Sequence, residues 1–453
     1  MKKIIILIFL ASATVSCKKL VEVGTPQNEL TTDKVFTDTT SALAALGNIY
    51  AQLDHNIDFN FSVLSDAYTD NLNYTGSSNQ TLAFYQSNLT PSNSINLNIW
   101  EYFYSIIYDC NDLIAQLPIS GKLPVASIKQ FSNEARFLRS YAYFYLVNIY
   151  GNVPLLLTTN ATANAATSRS SSQLVYEQIV SDLVAAKQGL SLSYQGGGKV
   201  RANSLAASAL LARVYLFEGN WVAAETEASN VIESGKYSLS ENLNNVFLAN
   251  SDEAILQIWN QYGYTSTSTA FVPSANTLPE FPASAYLLNS FERGDRRLSI
   301  WIDTNQVSNG TSVIPYPYYG KYKSTASNSS SSEYLMVLRL AEQYLIRAEA
   351  RAEQGKISGS GSALEDINVI RSRAGLVNTI ATTPSALLAA IAQERRVELF
   401  GEWGTRFLDL RRSGQINSVM LSEKATWKTA GDLYPIPSNE LTYDHNLVQN
   451  PGY

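Results

Sequence analysis

The chain is poor in the residues that metal sites and nucleophilic catalysis draw on. It has two cysteines and two histidines among 453 residues. His55 and His445 lie far apart and form no paired ligand pattern, and two cysteines cannot build a structural zinc site. No Gly-x-Ser-x-Gly motif occurs. We therefore predict no catalytic residue, no metal site and no cofactor. A pair of glycosidase carboxylates is the one catalytic alternative that the sequence leaves open.

Charge is also scarce. Charged residues make up 16% of the chain, the formal net charge is −6, and lysine and arginine are not clustered in one stretch. This balance argues against nucleic acid as a partner. After the N-terminal segment there is no apolar run of membrane length, so we expect the mature chain to be soluble apart from any anchor.

The N-terminus has the pattern of a secretory signal. Lys2 and Lys3 precede an apolar run from Ile4 to Ala13, and small or polar residues lead to Cys17. We predict that residues 1–16 are a signal peptide. The position of Cys17 resembles a lipobox, in which the cysteine is lipidated; the alternative is an ordinary signal with an incidental cysteine. With Cys17 lipidated, Cys110 has no partner, and we interpret it as a buried structural thiol.

A repeated helix pair is the clearest structural unit. Leu205, Ala209, Ala212 and Leu216 recur at spacings of four, three and four, which places them on one helical face. Asn203 can cap this helix at its start. Gly219 ends it, Asn220 can cap the next helix, and the same spacing recurs there before the unit ends near Tyr237. The pattern resembles a tetratricopeptide repeat. Small alanines at the contact predict close helix packing.

Helical spacing predicts further helices elsewhere in the chain. We predict a second pair over residues 333–373, a third around Tyr150 and 172–190, and a helix from Pro384 to about Phe400. Residues 56–94 have the composition of a long loop. Residues 238–332 form a loop-rich insertion with short strand signals at Ala254–Trp259 and Ser312–Ile314. The predicted fold is mainly α, with helix pairs forming one scaffold and little β structure. Its parts are residues 1–16, 17–237, 238–332 and 333–453.

Three runs near the C-terminus carry a family resemblance. They are Gly401–Gly414, Leu433–Leu441 and Gln449–Tyr453. Pro435 and Pro437 fix an extended segment there, which indicates that the tail is held down. The runs resemble the C-terminal signature of the SusD/RagB family. This resemblance implies an outer-membrane, cell-surface lipoprotein that binds a nutrient, usually a glycan or oligosaccharide. It also implies delivery of that nutrient to a TonB-dependent transporter of the SusC type.

A second function remains open. The helix pairs could form a protein- or peptide-binding repeat module without glycan binding. A glycan binder should expose aromatic side chains beside Asn or Asp, whereas a pure scaffold should bury them.

Sugar recognition needs flat aromatic faces together with planar polar groups. The chain has 27 tyrosines, and two segments combine them with Asn and Asp, one between the first helices and one in the insertion. In the family, ligand residues commonly come from these two regions. Our candidate ligand-binding residues are Asp66, Asp70, Asn73, Tyr74, Tyr262, Tyr264, Trp301, Tyr316 and Tyr319. Packing in the interior is the alternative for each aromatic residue.

A cluster of charged residues precedes and enters the tail. It comprises Glu394, Arg395, Arg396, Glu398, Arg406, Asp409, Arg411 and Arg412. Glu394 and Glu398 lie one helical turn apart, and arginines pair well with carboxylates. We interpret the cluster as a structural ion-pair network, and Asp295-Arg296-Arg297 as structural too.

Overall fold

The computed structural model describes residues 36–54, 61–328 and 332–453. The predicted signal peptide, the lipidation site Cys17 and His55 lie outside the described residues. The α-helices span Thr39–Gln52, Leu64–Tyr68, Asn79–Tyr85, Ser94–Gln116, Val125–Tyr150, Ala161–Asn164, Ser172–Gly189, Ser204–Phe217, Trp221–Ile232, Ser266–Phe271, Ala285–Leu288, Arg296–Trp301, Leu340–Glu353, Ala363–Arg373, Pro384–Leu399, Thr405–Arg412, Ile416–Glu423 and Ser438–Tyr443. The strands are β1 Val153–Pro154, β2 Arg169–Ser170, β3 Ala254–Ile258, β4 Ile302–Ser308, β5 Val313–Tyr319 and β6 Leu335–Arg339.

The long helices form one continuous stack, which confirms the mainly α fold. Each packs on the next from Ser94–Gln116 through Ser204–Phe217 to Trp221–Ile232. Trp221–Ile232 then packs on Leu340–Glu353, although the whole insertion separates them in the chain. Ala363–Arg373 and Pro384–Leu399 continue the stack. The insertion therefore interrupts the sequence but not the helical packing.

The predicted pair after Asn203 is confirmed, with its caps. The Asn203 side chain accepts a hydrogen bond from the Ala206 backbone N–H, at 2.8 Å. Gly219 turns the chain at a φ of 71°, a conformation that glycine adopts without strain. Ala224 and Ala228 are fully buried in the helix contact. These small side chains allow the close approach that the sequence predicts.

Two segments differ from the sequence expectation. Residues 56–94 were expected to be loop, but the structure places the short helices Leu64–Tyr68 and Asn79–Tyr85 there. The strand signal at residues 254–259 is confirmed by β3, and that at 312–314 by the longer β5. β4 escaped prediction because its sequence is polar and most of its side chains face solvent.

Strand pairing ties the insertion to the scaffold. β4 and β5 form an antiparallel hairpin inside the insertion. β3 pairs instead with β6, which leads directly into the helix Leu340–Glu353. The boundary at residue 332 stays a prediction, because this pairing crosses it.

The C-terminal tail is fixed by backbone hydrogen bonds, as predicted. The Tyr434 N–H donates to the Ile149 carbonyl at 2.9 Å. The Asn96 side chain donates to the Pro435 carbonyl at 2.8 Å. The Asn450 side chain donates to the carbonyls of both Tyr150 and Tyr434. The tail thus lies along the end of the helix Val125–Tyr150.

Two further expectations concern single features. Among the described helices, none combines the length and apolar character needed to cross a membrane. Cys110 is fully buried and is a free thiol among the described residues, and burial raises the pKa of its thiol well above the usual value. Since the thiolate is the reactive form, this cysteine is structural, as predicted.

Candidate ligand-binding surface

The two segments predicted to bind ligand meet in the structure. The Asn73 N–H donates to the Pro282 carbonyl at 2.8 Å, and the Ser284 N–H donates to the Asn71 carbonyl at 2.9 Å. On the other side, the Ala283 N–H donates to Pro317 of β5 at 2.8 Å. Residues 71–75 therefore lie beside residues 280–284, which in turn lie beside β5. Sequence alone could not show this contact, because its partners are far apart in the chain.

Asn73 and Tyr74 lie at the edge of this contact. Asn73 is exposed and Tyr74 is half-buried. The Tyr74 ring packs on Phe281 with centroids 5.4 Å apart, and its hydroxyl accepts a hydrogen bond from the Ser78 N–H at 2.8 Å. A Cβ at Gly76 would lie 2.6 Å from the Tyr74 hydroxyl. The glycine thus allows the loop to close over the tyrosine and fix its position.

Tyr316 lies on β5, where it faces Asn305 of β4 in the strand register. Its side chain is half-buried. The Asn305 side chain donates to the carbonyls of Ser274 and Thr277, at 2.9 and 2.7 Å. These bonds hold the hairpin against the neighbouring loop, so Tyr316 is carried on a braced element.

A second group of aromatic side chains lies on residues 259–264, here called the aromatic loop. Trp259 is 55% exposed and Tyr262 is 54% exposed. The rings of Tyr262 and Tyr264 lie 5.6 Å apart at an angle of 30°. Such exposure is unusual for large aromatic side chains, which normally bury most of their area. The loop therefore presents ring surface to solvent.

Asn260 holds the aromatic loop in place from inside. Its side-chain oxygen accepts hydrogen bonds from the N–H groups of Tyr262 and Gly263, at 3.0 and 2.8 Å. The Glu333 N–H donates to the Gly263 carbonyl at 2.9 Å. Gly263 has a φ of 73°, which favours glycine. The loop is thus a fixed turn that carries exposed rings.

Trp259 was not among the predicted ligand residues. It directly follows β3, whose five residues are all buried. The predicted strand signal Ala254–Trp259 includes it, and only Tyr262 and Tyr264 of the aromatic stretch that follows are predicted ligand residues. The end of the strand turns the side chain outward.

Asp66 and Asp70 were predicted as ligand residues, but the structure buries both. Asp70 pairs with Arg406 and Arg396, with N–O distances of 2.8 and 2.7 Å. Burial opposes its ionisation, but the two guanidinium groups hold the pKa of Asp70 below its usual value. Asp66 accepts hydrogen bonds from the Tyr319 hydroxyl and the Gly401 N–H, both at 2.9 Å. Internal partners thus occupy both oxygens of Asp70 and the Oδ2 oxygen of Asp66.

Trp301 and Tyr319 are likewise interior residues. The Trp301 indole is fully buried and donates to the Leu243 carbonyl at 3.0 Å. Tyr319 packs between Phe271 and Phe400, with centroids 4.6 and 4.7 Å away. These two side chains lack the solvent-facing surface that a ligand needs in this conformation. Trp301 and Tyr319 therefore pack in the interior, which was the alternative for each aromatic residue. Asn73, Tyr74, Tyr262, Tyr264 and Tyr316 stay as predicted ligand residues.

The first of the three C-terminal runs, Gly401–Gly414, closes over Tyr319, and we call it the tail motif. Gly401 has a φ of 70°, and a Cβ there would lie 2.8 Å from the Tyr319 ring. The Trp403 N–H donates to the Ser62 hydroxyl at 3.0 Å, and its indole donates to the Met336 carbonyl at 2.7 Å. The motif therefore closes over the insertion on one side and over residues 61–70 on the other.

The predicted charge cluster is structural, but it does not form one network. Arg395 and Arg412 pair with Asp409, Arg396 and Arg406 pair with Asp70, and Arg411 donates to the Asp432 carbonyl.

Only Glu394 and Glu398 of this cluster join a larger buried network. We call it the buried joint, and its members are Glu253, Asp295, Arg297, Lys321, Arg339, Arg373, Glu394, Glu398 and Glu402. Glu398 contacts Arg297, Arg339 and Arg373. Burial opposes ionisation, but these three arginines hold the pKa of Glu398 well below its usual value. The joint connects the insertion, β6 and the helix Pro384–Leu399 without facing solvent.

His445 lies exposed in the loop after the helix Ser438–Tyr443, as predicted. Elsewhere in the described chain, no group of three His, Cys, Asp or Glu side chains is placed to hold a metal ion.

Comparison with known proteins identifies the family. Residues 24–216 match a family model described as starch-binding and associating with the outer membrane, and residues 302–453 match the SusD family model. The chain belongs to the SusD/RagB family. It is 24% identical to SusD-like protein P2 of Formosa agariphila, over 98% of each chain. It is 25% identical to the starch-binding protein SusD of Bacteroides thetaiotaomicron, over 71% of this chain and 72% of that one.

Solved structures of SusD-like proteins share the fold. A laminarin binding SusD-like protein superposes with a TM-score of 0.77 at 26% identity, covering 92% of this chain and 99% of that one. The SusD/RagB match spans both sides of the insertion. Residues 217–301, which include the aromatic loop, lie outside both family-model matches.

Proposed function

We propose that this SusD/RagB-family protein binds a glycan or oligosaccharide at the cell surface and delivers it to a partner TonB-dependent transporter of the SusC type. The family model that matches residues 24–216 is described as starch-binding and outer-membrane associated. Two relatives are named for binding starch and laminarin. In this proposal, lipidated Cys17 anchors the chain in the outer membrane.

The exposed aromatic loop is the observation that carries the proposal. Trp259 and Tyr262 present ring faces to water, where they are solvated at a cost. The C–H face of a pyranose ring covers such surface well. Because Asn260 already fixes the loop, binding requires little ordering of the backbone, which improves affinity.

The surface formed by Asn73, Tyr74 and Tyr316 adds polar contacts. Asn73 supplies a planar amide for sugar hydroxyls, and Tyr74 and Tyr316 supply half-buried rings. The buried residues Asp66, Asp70 and Tyr319 support this surface from beneath, because they tie residues 61–71 and β5 to the tail. We therefore propose Asn73, Tyr74, Trp259, Tyr262, Tyr264 and Tyr316 as the ligand residues.

We further propose that binding occurs without turnover. SusD-like relatives are binding proteins. Steady release of reducing sugar by the pure protein would instead favour the glycosidase alternative. The protein-binding alternative expects the insertion to bury its aromatic side chains, and the exposure of Trp259 and Tyr262 favours the glycan binder.

The test is a calorimetric titration of the chain from Lys18 onward against starch, laminarin and a panel of oligosaccharides, with a parallel reducing-end assay. We expect saturable binding of one glycan class without release of reducing ends. Binding should weaken in Trp259→Ala and persist in Tyr443→Ala, a matched control in which the exposed ring lies elsewhere. No binding across the panel would contradict the proposal.

Delivery needs a separate test. Full-length, anchored protein should co-purify with a SusC-type transporter from the same cell, and a transporter deletion should abolish uptake of the bound glycan. Uptake that is unchanged without the transporter would contradict delivery while leaving glycan binding intact.

A further inference from the structure

A groove of about 420 Å³ lies away from the residues proposed above. It runs between the helix Ser94–Gln116, the segment 154–165 and the C-terminal helix Ser438–Tyr443. None of its lining residues belongs to the aromatic loop or to the buried joint. Its size is within the range of small-molecule sites.

One wall of the groove is aromatic. Trp100, Tyr104 and Tyr108 are spaced by four residues, so they share one face of their helix. Trp100 is 2% exposed and forms the floor, with the Tyr104 ring 4.9 Å from its own. Tyr108 is 51% exposed at the rim. The wall thus changes from buried to solvated over two helical turns.

The opposite wall is fixed to the same helix. The Tyr104 hydroxyl donates to the Pro154 carbonyl at 2.9 Å. The Asn111 side chain donates to the Leu156 carbonyl at 3.0 Å, and Tyr143 donates to the same carbonyl at 2.8 Å. These bonds hold the two walls in fixed positions, so the groove is preformed.

The charge of the groove is one-sided. Glu101, Glu440 and Asp444 line it, and no lysine or arginine of the described residues does. Glu440 accepts a hydrogen bond from the Trp100 indole at 3.1 Å. Burial raises the pKa of Glu440, and the negative charges of Glu101 and Asp444 raise it further. Glu440 therefore lies in a partly desolvated position where the charges of Glu101 and Asp444 repel its own.

A nearby cation does not relieve this repulsion. Arg169 acts electrostatically on Tyr104, but its guanidinium donates to the carbonyls of Asn152, Tyr150 and Val448 and to the Asn450 side chain. Nor are the three carboxylates placed to share a metal ion, since the described residues contain no such group. Among the described residues, no lysine or arginine forms an ion pair with Glu101, Glu440 or Asp444.

We propose that the groove is a second binding site, and that it takes an organic cation: a guanidinium or ammonium group carried on an apolar or aromatic body. Tyrosine faces attract such a cation through their ring quadrupoles. The carboxylates attract it through charge, and more strongly in a groove than in open water. A neutral sugar would use the rings but would leave the carboxylates uncompensated. The inference does not depend on the proposed glycan binding.

The test uses benzamidine, a planar cation, and benzamide, its neutral isostere. Each is titrated into the chain from Lys18 onward, and binding is followed by ligand-observed NMR and calorimetry. We expect benzamidine to bind at least tenfold more tightly than benzamide. Equal affinity of the two probes, or no binding of either, would overturn the proposal.

Three variants locate the site. Glu440→Gln keeps the acceptor for Trp100 while removing the charge, so it should weaken benzamidine binding about tenfold at an unchanged melting temperature. Tyr108→Ala should weaken it several-fold. Trp259→Ala should leave it unchanged, because that residue belongs to the aromatic loop. If the Glu440→Gln variant binds benzamidine as tightly as the wild type, the cation binds elsewhere and the assignment is overturned.

A second arm distinguishes the source of the cation. An Arg-containing tetrapeptide with apolar flanking residues is compared with the same peptide carrying citrulline, which is neutral. If the arginine peptide binds more tightly than benzamidine and the citrulline peptide does not bind, the groove recognises a side chain of a polypeptide. If benzamidine alone binds, the groove takes a free small cation. Equal binding of both peptides argues against charge recognition and overturns the proposal.

Discussion

Two tryptophans of the same insertion have opposite environments. Trp301 is fully buried beneath the Lys321 ammonium, which lies 4.8 Å from its ring. Trp259 is more than half exposed on the aromatic loop. Trp301 is the last residue of the short helix Arg296–Trp301, and Trp259 directly follows β3. The difference lies in what covers each ring: Phe247, Phe400 and Lys321 pack on Trp301, whereas Trp259 lies in an exposed turn.

The two tryptophans belong to two parts of the insertion that have different roles. The buried joint fixes the insertion to the scaffold through charges that solvent does not reach. The aromatic loop carries exposed rings on a backbone held by Asn260. A substitution in the joint should therefore change stability, and a substitution in the loop should change binding.

The strongest test of this division is Glu398→Gln. The variant keeps the shape of the side chain but removes the charge that Arg297, Arg339 and Arg373 share. Removing one partner of a buried ion pair leaves uncompensated charge, so the free energy of unfolding should fall by about 3–5 kcal/mol. Urea denaturation followed by circular dichroism measures it.

The control for this test is Glu241→Gln, at an exposed position. It should change the free energy of unfolding by less than about 0.5 kcal/mol. Glycan affinity of the folded Glu398→Gln protein should stay within twofold of the wild type. A loss of stability below about 1 kcal/mol would show that the joint is not what holds the insertion.

The second test is Trp259→Ala in the aromatic loop. The ring is exposed, so the melting temperature should stay within about 1 °C. Affinity for the bound glycan should fall at least tenfold, which corresponds to about 1.4 kcal/mol, because the stacking surface is lost. Calorimetry and thermal denaturation on the same samples measure both. Unchanged affinity, or a large loss of stability, would place Trp259 in the same class as Trp301.

The features that could be predicted from the sequence are those that depend on residues close together in the chain. The helix Ser204–Phe217 was predicted because its spacing and its Asn203 cap are local signals. The burial of Tyr319 was not, because it depends on Gly401, which approaches the ring from a distant part of the chain. In the same way, Asp70 is polar in a polar segment, and only its contact with Arg406 shows that it is structural.

The candidate surface was predicted in part for the same reason. Composition indicated that Tyr262 and Tyr264 lie in an aromatic, polar stretch. It could not indicate which rings of the insertion face solvent. Residues 71–75 and 280–284 are brought together by backbone hydrogen bonds, and such pairing depends on the fold rather than on local periodicity.

The third test is a pH dependence that originates in the joint, and its effect per pH unit is the smallest of the three. Burial lowers the pKa of Lys321 to about 8 from its ordinary value of 10.5, although Glu402 opposes the shift. Above about pH 8 the folded protein therefore releases a proton that the unfolded chain still holds. Where the unfolded state binds more protons, stability rises with pH. Between about pH 8 and pH 10, Lys321 should add about 1 kcal/mol per pH unit to the free energy of unfolding.

Lys321→Met isolates this contribution, because methionine can fill the apolar space beside Trp301 without titrating. The difference in unfolding free energy between wild type and variant should grow with pH across that window, as measured by urea denaturation at four pH values. Lys236→Met, at an exposed position, should show a difference that does not vary with pH. A constant difference for Lys321→Met as well would mean that the Lys321 ammonium keeps its proton in the folded state. The contacts with Glu402 and the Glu398 carbonyl would then outweigh the cost of burying the charge, and the joint would behave as a fully ionised network.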